Sequence, residues 1–234
     1  MYMLTVTSVP RYSSMNALLV QGPGNLETRG TVCADIPAMK RGLGSRGFGS
    51  LLEIQPGLTP RNIEKSLDSL AEKADNNSLT FFFYTGHGNT DYLISSYLWF
   101  LSRENLFRRL AKISGSKIIL LDTCDSVAKF GSFEASSKTV IITGEDSGGS
   151  LVEKTDSYRG LRNGVLTFAF LRLLRLFPGE IDLATCVDEL AGSSRMREEN
   201  ISAVIAGSGV VLPASSVESS LGSNYLTSSP NINR

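Results

Sequence analysis

Two short apolar runs in this sequence end in small and polar residues. Residues 80–84 (TFFFY) are followed by Thr-Gly-His-Gly, and residues 117–121 (KIILL) are followed by Asp-Thr-Cys-Asp-Ser. A run of β-formers without polar alternation is typical of a strand that is buried on both faces of a parallel sheet. Because parallel strands are covered by helices on their faces, the two runs predict an α/β protein.

His87 and Cys124 follow these two predicted strands. The carboxyl ends of parallel strands meet at one edge of a sheet, where open α/β sheets bind their ligands, so adjacent strands would bring the two side chains together. His87 is the only histidine among 234 residues. A thiol becomes a strong nucleophile when it loses its proton, and a neighbouring imidazole can take that proton. The pair predicts acyl transfer, with the backbone amides of Gly88 and Cys124 as oxyanion donors.

The composition makes several other classes of protein poor matches. Lysine plus arginine and aspartate plus glutamate number 23 each, so nothing indicates a nucleic-acid partner. The three cysteines are widely spaced and include no CxxC pair, which argues against a disulfide framework or a structural zinc site and favours a reducing, cytoplasmic compartment. Cys33 and Cys186 are predicted to be core residues. No apolar run approaches the ~18 residues of a membrane span, so no membrane is expected.

The other patterns predict strands alternating with helices. Thr59 and the proline after it mark a helix start, Ser102 caps another helix, and Asp182 caps a third. The predicted strands are residues 17–21, 50–55, 139–143, 201–207 and 210–212, the other helices are residues 36–43 and 164–176, and residues 92–101 are a hairpin or short strand. This order predicts three layers, with a mostly parallel sheet between helices.

One domain is expected over residues 16–213. Residues 1–15 are predicted to be a leader or an edge strand, and the serine-rich residues 214–234 a disordered tail. Arg29 is predicted to lie in a polar loop before the helix at 36–43. Residues 144–163 are predicted to be a long polar loop of the kind that carries function.

Other motifs in the sequence are weaker. Residues 22–24 (GPG) resemble a dinucleotide loop, but Glu27 stands where the third glycine of GxGxxG belongs, and nucleotide binding stays an alternative. A phosphatase loop needs an arginine where Phe130 stands. Residues 146–149 (DSGG) resemble the region of the trypsin-like nucleophile, but that fold is a two-barrel all-β chain.

The blocks TGHG and LDTCDS together resemble those of the caspase and metacaspase superfamily of cysteine peptidases. The similarity runs from about residue 16 to residue 213 and includes the Gly-Phe pair at 47–48 and the segment NGVLTFAFLRLL at 163–174. The resemblance implies a caspase-like α/β/α sandwich. It also implies that His87 is the general base and acid, Cys124 the nucleophile and Gly88 an oxyanion donor.

The resemblance further implies residues that bind substrate. Asp122, in the metacaspase-type DxC block, would help line a pocket for lysine or arginine; its other interpretation is the capping of a loop turn. Arg29 lies about where caspases place an arginine that binds a substrate aspartate, so Arg29 and Asp122 could neutralise each other and leave a pocket for an uncharged side chain. Asp146 is a third candidate for substrate binding. Cleavage after a basic residue is the preferred prediction.

The predicted function is therefore that of a caspase-like cysteine endopeptidase acting on protein or peptide substrates. The alternative is an inactive homologue that serves as a binding scaffold or regulator. Residues 127–138 are short for a long intersubunit linker, so a single-chain monomer is expected, and residues 144–163 are the more exposed place for self-cleavage. No cofactor or metal site is assigned. Calcium activates many metacaspases and remains possible, although Asp125, Glu145 and Asp146 are too generic to be assigned as ligands.

Overall fold

The computed structural model describes residues 12–23, 29–54, 59–96, 99–123, 138–146, 154–156, 161–186, 189–190, 201–207 and 209–215 of the chain. In chain order its elements are β1 (Ser14–Gln21), α1 (Arg29–Gly44), β2 (Ser50–Ile54), α2 (Pro60–Lys73), β3 (Ser78–Thr85), β4 (Tyr92–Ser96), β5 (Trp99–Ser102), α3 (Arg103–Leu110), β6 (Ser116–Asp122), β7 (Thr139–Asp146), β8 (Lys154–Asp156), β9 (Leu161–Asn163), α4 (Val165–Leu176), β10 (Ile181–Asp182), a 3₁₀ helix (Leu183–Thr185), β11 (Ile201–Gly207) and β12 (Val211–Leu212).

A six-stranded sheet forms the centre of the molecule, in the order β11-β7-β6-β3-β1-β2. The five strands from β7 to β2 are parallel, and β11 runs antiparallel to β7. Every residue of β3 and of β6 is buried. The continuous apolar runs therefore form the two central strands, and the predicted mostly parallel sheet is confirmed.

Helices cover both faces of the sheet and complete the three layers. Successive side chains of a strand point to opposite faces, so Phe81 and Phe83 pack in the cluster that contains the core residues of α1 and α4. Phe82 and Tyr84 pack in the other cluster, with the core residues of α2 and α3. The α/β/α sandwich is thus confirmed.

Two predicted helix starts are confirmed. The Thr59 amide donates to Asn62 Oδ1 at 3.1 Å before α2 begins at Pro60. The Ser102 side chain accepts a hydrogen bond from the Asn105 amide at 3.4 Å and caps α3. Each polar side chain satisfies an amide that the first helical turn leaves without a partner.

Helix α1 begins at Arg29, seven residues earlier than predicted, and continues through Pro37. The prediction of a loop before residue 36 is wrong. The segment Gly-Thr-Val at 30–32 consists of weak helix formers, so local propensity gave no signal. Asp35 is fully buried, and tertiary contacts of this kind override propensity.

The predicted loop at 144–163 is also partly wrong. Strand β7 extends to Asp146 because it pairs with β11 as far as Ile201. Strands β8 and β9 then form a small antiparallel pair within the predicted loop. The helix predicted over residues 183–191 is described only in part. Leu183–Thr185 form a 3₁₀ turn, in which the Ala184 amide donates to Asp182 Oδ1 at 3.0 Å, and residues 189–190 are helical, while residues 187–188 and 191 lie outside the described residues.

Both ends of the predicted domain are partly described. Strand β1 begins at Ser14 and lies between β2 and β3, so it is an interior strand, while residues 1–11 lie outside the described residues. Ser215 is fixed by a 2.7 Å hydrogen bond from its amide to the Pro178 carbonyl oxygen. The predicted tail from residue 216 onward lies outside the described residues.

Candidate active site

The pairing of β3 with β6 brings the two sequence motifs to one edge of the sheet. Thr85 and Asp122, the last residues of the two strands, are register partners, and the Gly86 amide donates to the Asp122 carbonyl oxygen at 3.2 Å. A Cβ atom on Gly88 would lie 2.5 Å from Thr123 Oγ1. The turn that carries His87 therefore touches the residue before Cys124. Cys124 lies outside the described residues, so its contact with His87 stays a prediction.

Hydrogen bonds from β3 and from the β4–β5 hairpin hold the turn at His87. The Tyr84 hydroxyl lies 2.5 Å from the His87 carbonyl oxygen and 3.0 Å from that of Ile94. The Ile94 amide donates to the same His87 oxygen at 3.0 Å, and Gly88 forms a β-bridge with Leu93. The half-buried His87 thus lies on a backbone that is held by contacts from two segments, β3 and β4.

Two glycines allow this turn to pack closely. Gly86 has a φ of 144°, a conformation that disfavours any residue with a Cβ. A Cβ there would lie 2.9 Å from the Gly22 Cα, and a Cβ on Gly22 would lie 2.5 Å from the Tyr84 hydroxyl. The close packing of Gly22 against Tyr84 accounts for a glycine at this position. A bound phosphate is not needed to explain it.

Asp122 lies beneath this edge and caps α4. Its side chain is only 5% exposed, and Oδ2 accepts hydrogen bonds from the Thr167 amide at 2.9 Å and from the Thr167 hydroxyl. Burial raises the pKa of the Asp122 carboxyl group, and the two hydrogen bonds from Thr167 oppose that rise. A negative group is also favoured at the amino end of a helix. Its predicted role in binding substrate stays a prediction.

Asp35 is a second buried carboxylate at this place, and the sequence analysis did not identify it as a site residue. Its Oδ2 accepts from the Thr85 hydroxyl at 2.7 Å, and its Oδ1 accepts from the Gly164 amide at 3.1 Å. The available signal was spacing, since Asp35 lies four and eight residues before the buried Met39 and Leu43 and shares their face of α1.

The other predicted substrate residues are less completely described. Arg29 is the first residue of α1, and Asp146 is the last residue of β7, at the same edge of the sheet as Asp122. The side chains of both lie outside the described residues, so their contact with substrate stays a prediction.

The two remaining cysteines differ from each other. Cys186 is 7% exposed and belongs to the core, as predicted. Cys33 is exposed, so its predicted core position is wrong. It lies in the first half of α1, 3.3 Å from Gln21 Nε2 at the end of β1. Because Cys33 is exposed, reagents can reach its thiol.

The described ranges contain no group of three histidine, cysteine, aspartate or glutamate side chains that could hold a metal ion. Of the carboxylates considered for calcium, Asp125 lies outside these ranges, as do the side chains of Glu145 and Asp146. Among the helices that the structure describes, none is long and apolar enough to cross a lipid bilayer.

Comparison with known proteins identifies the family. The model of the family described as the caspase domain matches residues 17–227. A structure of pro-sf-caspase-1 has 16% sequence identity to the chain and a TM-score of 0.63, covering 89% of this chain and 99% of that one. Caspase-1 from Spodoptera frugiperda has 15% identity and a TM-score of 0.61, covering 86% of this chain and 89% of that one. No curated protein matches the chain in sequence.

Proposed function

We propose, from the premise that this chain belongs to the caspase-domain family, that it is a cysteine endopeptidase with His87 and Cys124 as its catalytic dyad. The observation that carries the proposal is the contact between the two motifs. Strands β3 and β6 end side by side, and Gly88 packs on Thr123, whose next residue in the chain is Cys124. His87 is the only imidazole that the chain offers as a base.

In the proposed reaction His87 removes the proton from the Cys124 thiol, and the sulfur attacks the carbonyl carbon of the scissile peptide bond. The negative oxygen that forms is stabilised by the backbone amides of Gly88 and Cys124. His87 then protonates the leaving amine, which leaves a thioester on Cys124. A water molecule, deprotonated by His87, attacks the thioester and releases the second product and the free thiol.

We propose further that the pocket next to the dyad binds a lysine or arginine side chain. Two buried carboxylates, Asp35 and Asp122, approach the edge beside Thr85, and both reach Gly164 at the start of α4. Within the described residues, both hydrogen bonds to Asp122 end on Oδ2, so Oδ1 can accept from a cationic substrate group. A buried carboxylate pairs most favourably with a cation, because the pair offsets the cost of burying the charge.

An active-site-directed electrophile tests the dyad. A Cys33→Ser background removes the other exposed thiol, and mass spectrometry locates the label. We expect labelling at Cys124 that falls at least about 100-fold in His87→Ala. A folded protein that is neither labelled at Cys124 nor able to cleave any peptide would instead be the inactive homologue that acts as a scaffold.

A peptide library tests the pocket, with and without calcium. We expect cleavage after lysine or arginine, and a loss of that preference in Asp122→Ala and in Asp35→Ala. An unchanged preference in both variants would refute the assignment of the pocket, and cleavage after uncharged residues would favour neutralisation by Arg29. Dependence on calcium would show that the chain binds the ion.

A further inference from the structure

The hairpin of β4 and β5 exposes aromatic side chains beside the His87 turn. Of the six large apolar side chains that are exposed in the described ranges, three lie in this hairpin: Tyr92, Trp99 and Phe100. Phe100 is 56% exposed, and the centroid of its ring lies 6.1 Å from that of Tyr92 in an edge-to-face contact. Exposed aromatic side chains that cluster in this way are typical of a surface that binds another polypeptide.

The two faces of the hairpin differ in their surroundings. Leu93 and Leu101 are register partners, and both are buried in the core cluster that contains residues of α2 and α3. Successive side chains of a strand point to opposite faces, so their neighbours Ile94 and Phe100, which also pair with each other, lie on the outer face. Ile94 is half-buried and Phe100 is exposed. We call these two residues the outer pair.

The outer pair lies close to the proposed catalytic base. The Ile94 amide donates to the His87 carbonyl oxygen at 3.0 Å. Since paired strands are about 4.8 Å apart, the backbone of Phe100 lies roughly 8 Å from that oxygen. An extended peptide advances about 3.3 Å with each residue. A substrate whose cleaved bond lies at His87 therefore brings its second or third residue from that bond to the outer pair.

The position of the hairpin indicates which half of the substrate it meets. Asp35 and Asp122, proposed to bind the side chain before the cleaved bond, accept hydrogen bonds from α4 and the residue that precedes it, in the layer of α1 and α4. The hairpin packs in the opposite layer, with α2 and α3. His87 follows β3, in the sheet between the two layers, and gives its proton to the leaving amine. The leaving half of the substrate thus extends towards the hairpin.

We propose that the outer pair binds an apolar side chain of the substrate at the second or third residue after the cleaved bond. The inference rests on the proposed peptidase function, and it adds a preference on the leaving side to the basic residue before the bond. An apolar side chain that covers the Phe100 ring removes apolar surface from water, which favours binding. Asp91, next to Tyr92, is exposed, and its charge disfavours an acidic side chain on this surface.

Three substrates that share the residues before the cleaved bond test the inference. One peptide carries leucine at the second and third residues after the bond, another carries serine there, and an aminocoumarin amide has no residue there. We expect Phe100→Thr to lower kcat/KM for the leucine peptide by about tenfold, mainly by raising KM, because it removes binding that is uniform along the reaction. For the other two substrates kcat/KM should change by less than about twofold.

Trp99→Thr is the matched control. Trp99 is 51% exposed in the same strand, but it alternates with Phe100 and so points away from the outer face. Its substitution should leave kcat/KM unchanged for all three substrates. Threonine suits a strand, so both variants should fold. Ile94→Thr carries the same test from the other strand of the hairpin.

The outcomes separate this inference from the proposed function. Equal losses in Phe100→Thr for all three substrates would overturn it, and so would equal effects of Phe100→Thr and Trp99→Thr on the leucine peptide. A parent that sediments as a dimer and a Phe100→Thr variant that sediments as a monomer would assign the outer pair to a second copy of the chain instead. A parent that cleaves none of the three substrates would count against the dyad itself, and this inference would fall with it.

Discussion

Thr85 and Asp122 are register partners at the carboxyl ends of two adjacent parallel strands, and each is bonded to a residue far away in the chain. The Thr85 hydroxyl donates to Asp35 in α1, and the Asp122 carboxylate accepts from Thr167 in α4. The Gly164 amide, at the start of α4, also donates to Asp35. Hydrogen bonds beneath the His87 turn thus connect the central strands β3 and β6 to α1 and α4, which lie in one helical layer.

Gly164→Ala is expected to destabilise the fold. A Cβ at Gly164 would lie 2.8 Å from Asp122 Cγ and overlap its carboxylate, so the start of α4 would have to move. We expect the free energy of unfolding to fall by about 1–3 kcal/mol in urea denaturation. Gly44→Ala is the matched control, because a Cβ at Gly44 meets no atom within 4 Å. Equal effects of the two substitutions would contradict this account.

Asp122→Asn is expected to change how stability depends on pH. Because the pKa of Asp122 is raised in the folded state, the folded chain binds that proton more tightly than the unfolded chain does. The protonated Asp122 carboxyl group therefore stabilises the fold. This stabilisation is fully present below about pH 3.8 and is lost as the pH rises through the raised pKa. Asparagine cannot ionise, so the stability of the variant relative to the parent should rise with pH across this window and then level off.

Urea unfolding at a series of pH values from about 3 to 8 measures this difference. Thr167→Val is the second arm, because the Thr167 hydroxyl bond lowers the pKa of Asp122. Without this hydrogen bond the pKa of Asp122 in the folded state should rise further, so the decline in stability should extend to higher pH. A constant difference between Asp122→Asn and the parent at every pH would show that the carboxyl group ionises equally in both states.

The sequence predicted the central strands and the helix caps because their signals are local. Continuous apolar runs identified β3 and β6, and single polar residues identified the starts of α2 and α3. The same reasoning missed the buried positions of Asp35 and Arg46, which depend on contacts with segments distant along the chain. Arg46, for example, donates to carbonyl groups more than 100 residues away. No pattern within a short window encodes such a partner.

Tyr84→Phe is expected to loosen the turn that carries His87. The substitution removes the hydroxyl that contacts the carbonyl oxygens of His87 and Ile94. We expect a loss of about 1 kcal/mol in the free energy of unfolding. We also expect a fall in kcat/KM of at least about tenfold, since small displacements of a catalytic base are costly. Tyr92→Phe is the control, because Tyr92 is 45% exposed and lies nearby in β4. A variant with full kcat/KM would show that β4 alone holds the turn.

Arg46→Met is expected to be among the most destabilising single changes in the part of the chain that the structure describes. Arg46 is 1% exposed and donates to the carbonyl oxygens of Leu174 (3.0 Å), Gly179 (3.0 Å), Pro213 (2.6 Å) and Phe177.

These carbonyl groups belong to the end of α4 and to the segments around β10 and β12. Methionine keeps the apolar stem of the arginine but leaves the carbonyl groups without their donor, so we expect a loss of at least about 3 kcal/mol in the free energy of unfolding. Arg46→Lys should recover only part of it, because an ammonium group has three donors and no planar fork. Arg41→Met, at an exposed position near the end of α1, should change the free energy by less than about 0.5 kcal/mol. Urea denaturation of the four proteins measures the series, and a loss in Arg46→Met no larger than that in Arg41→Met would refute the role of the buried guanidinium group.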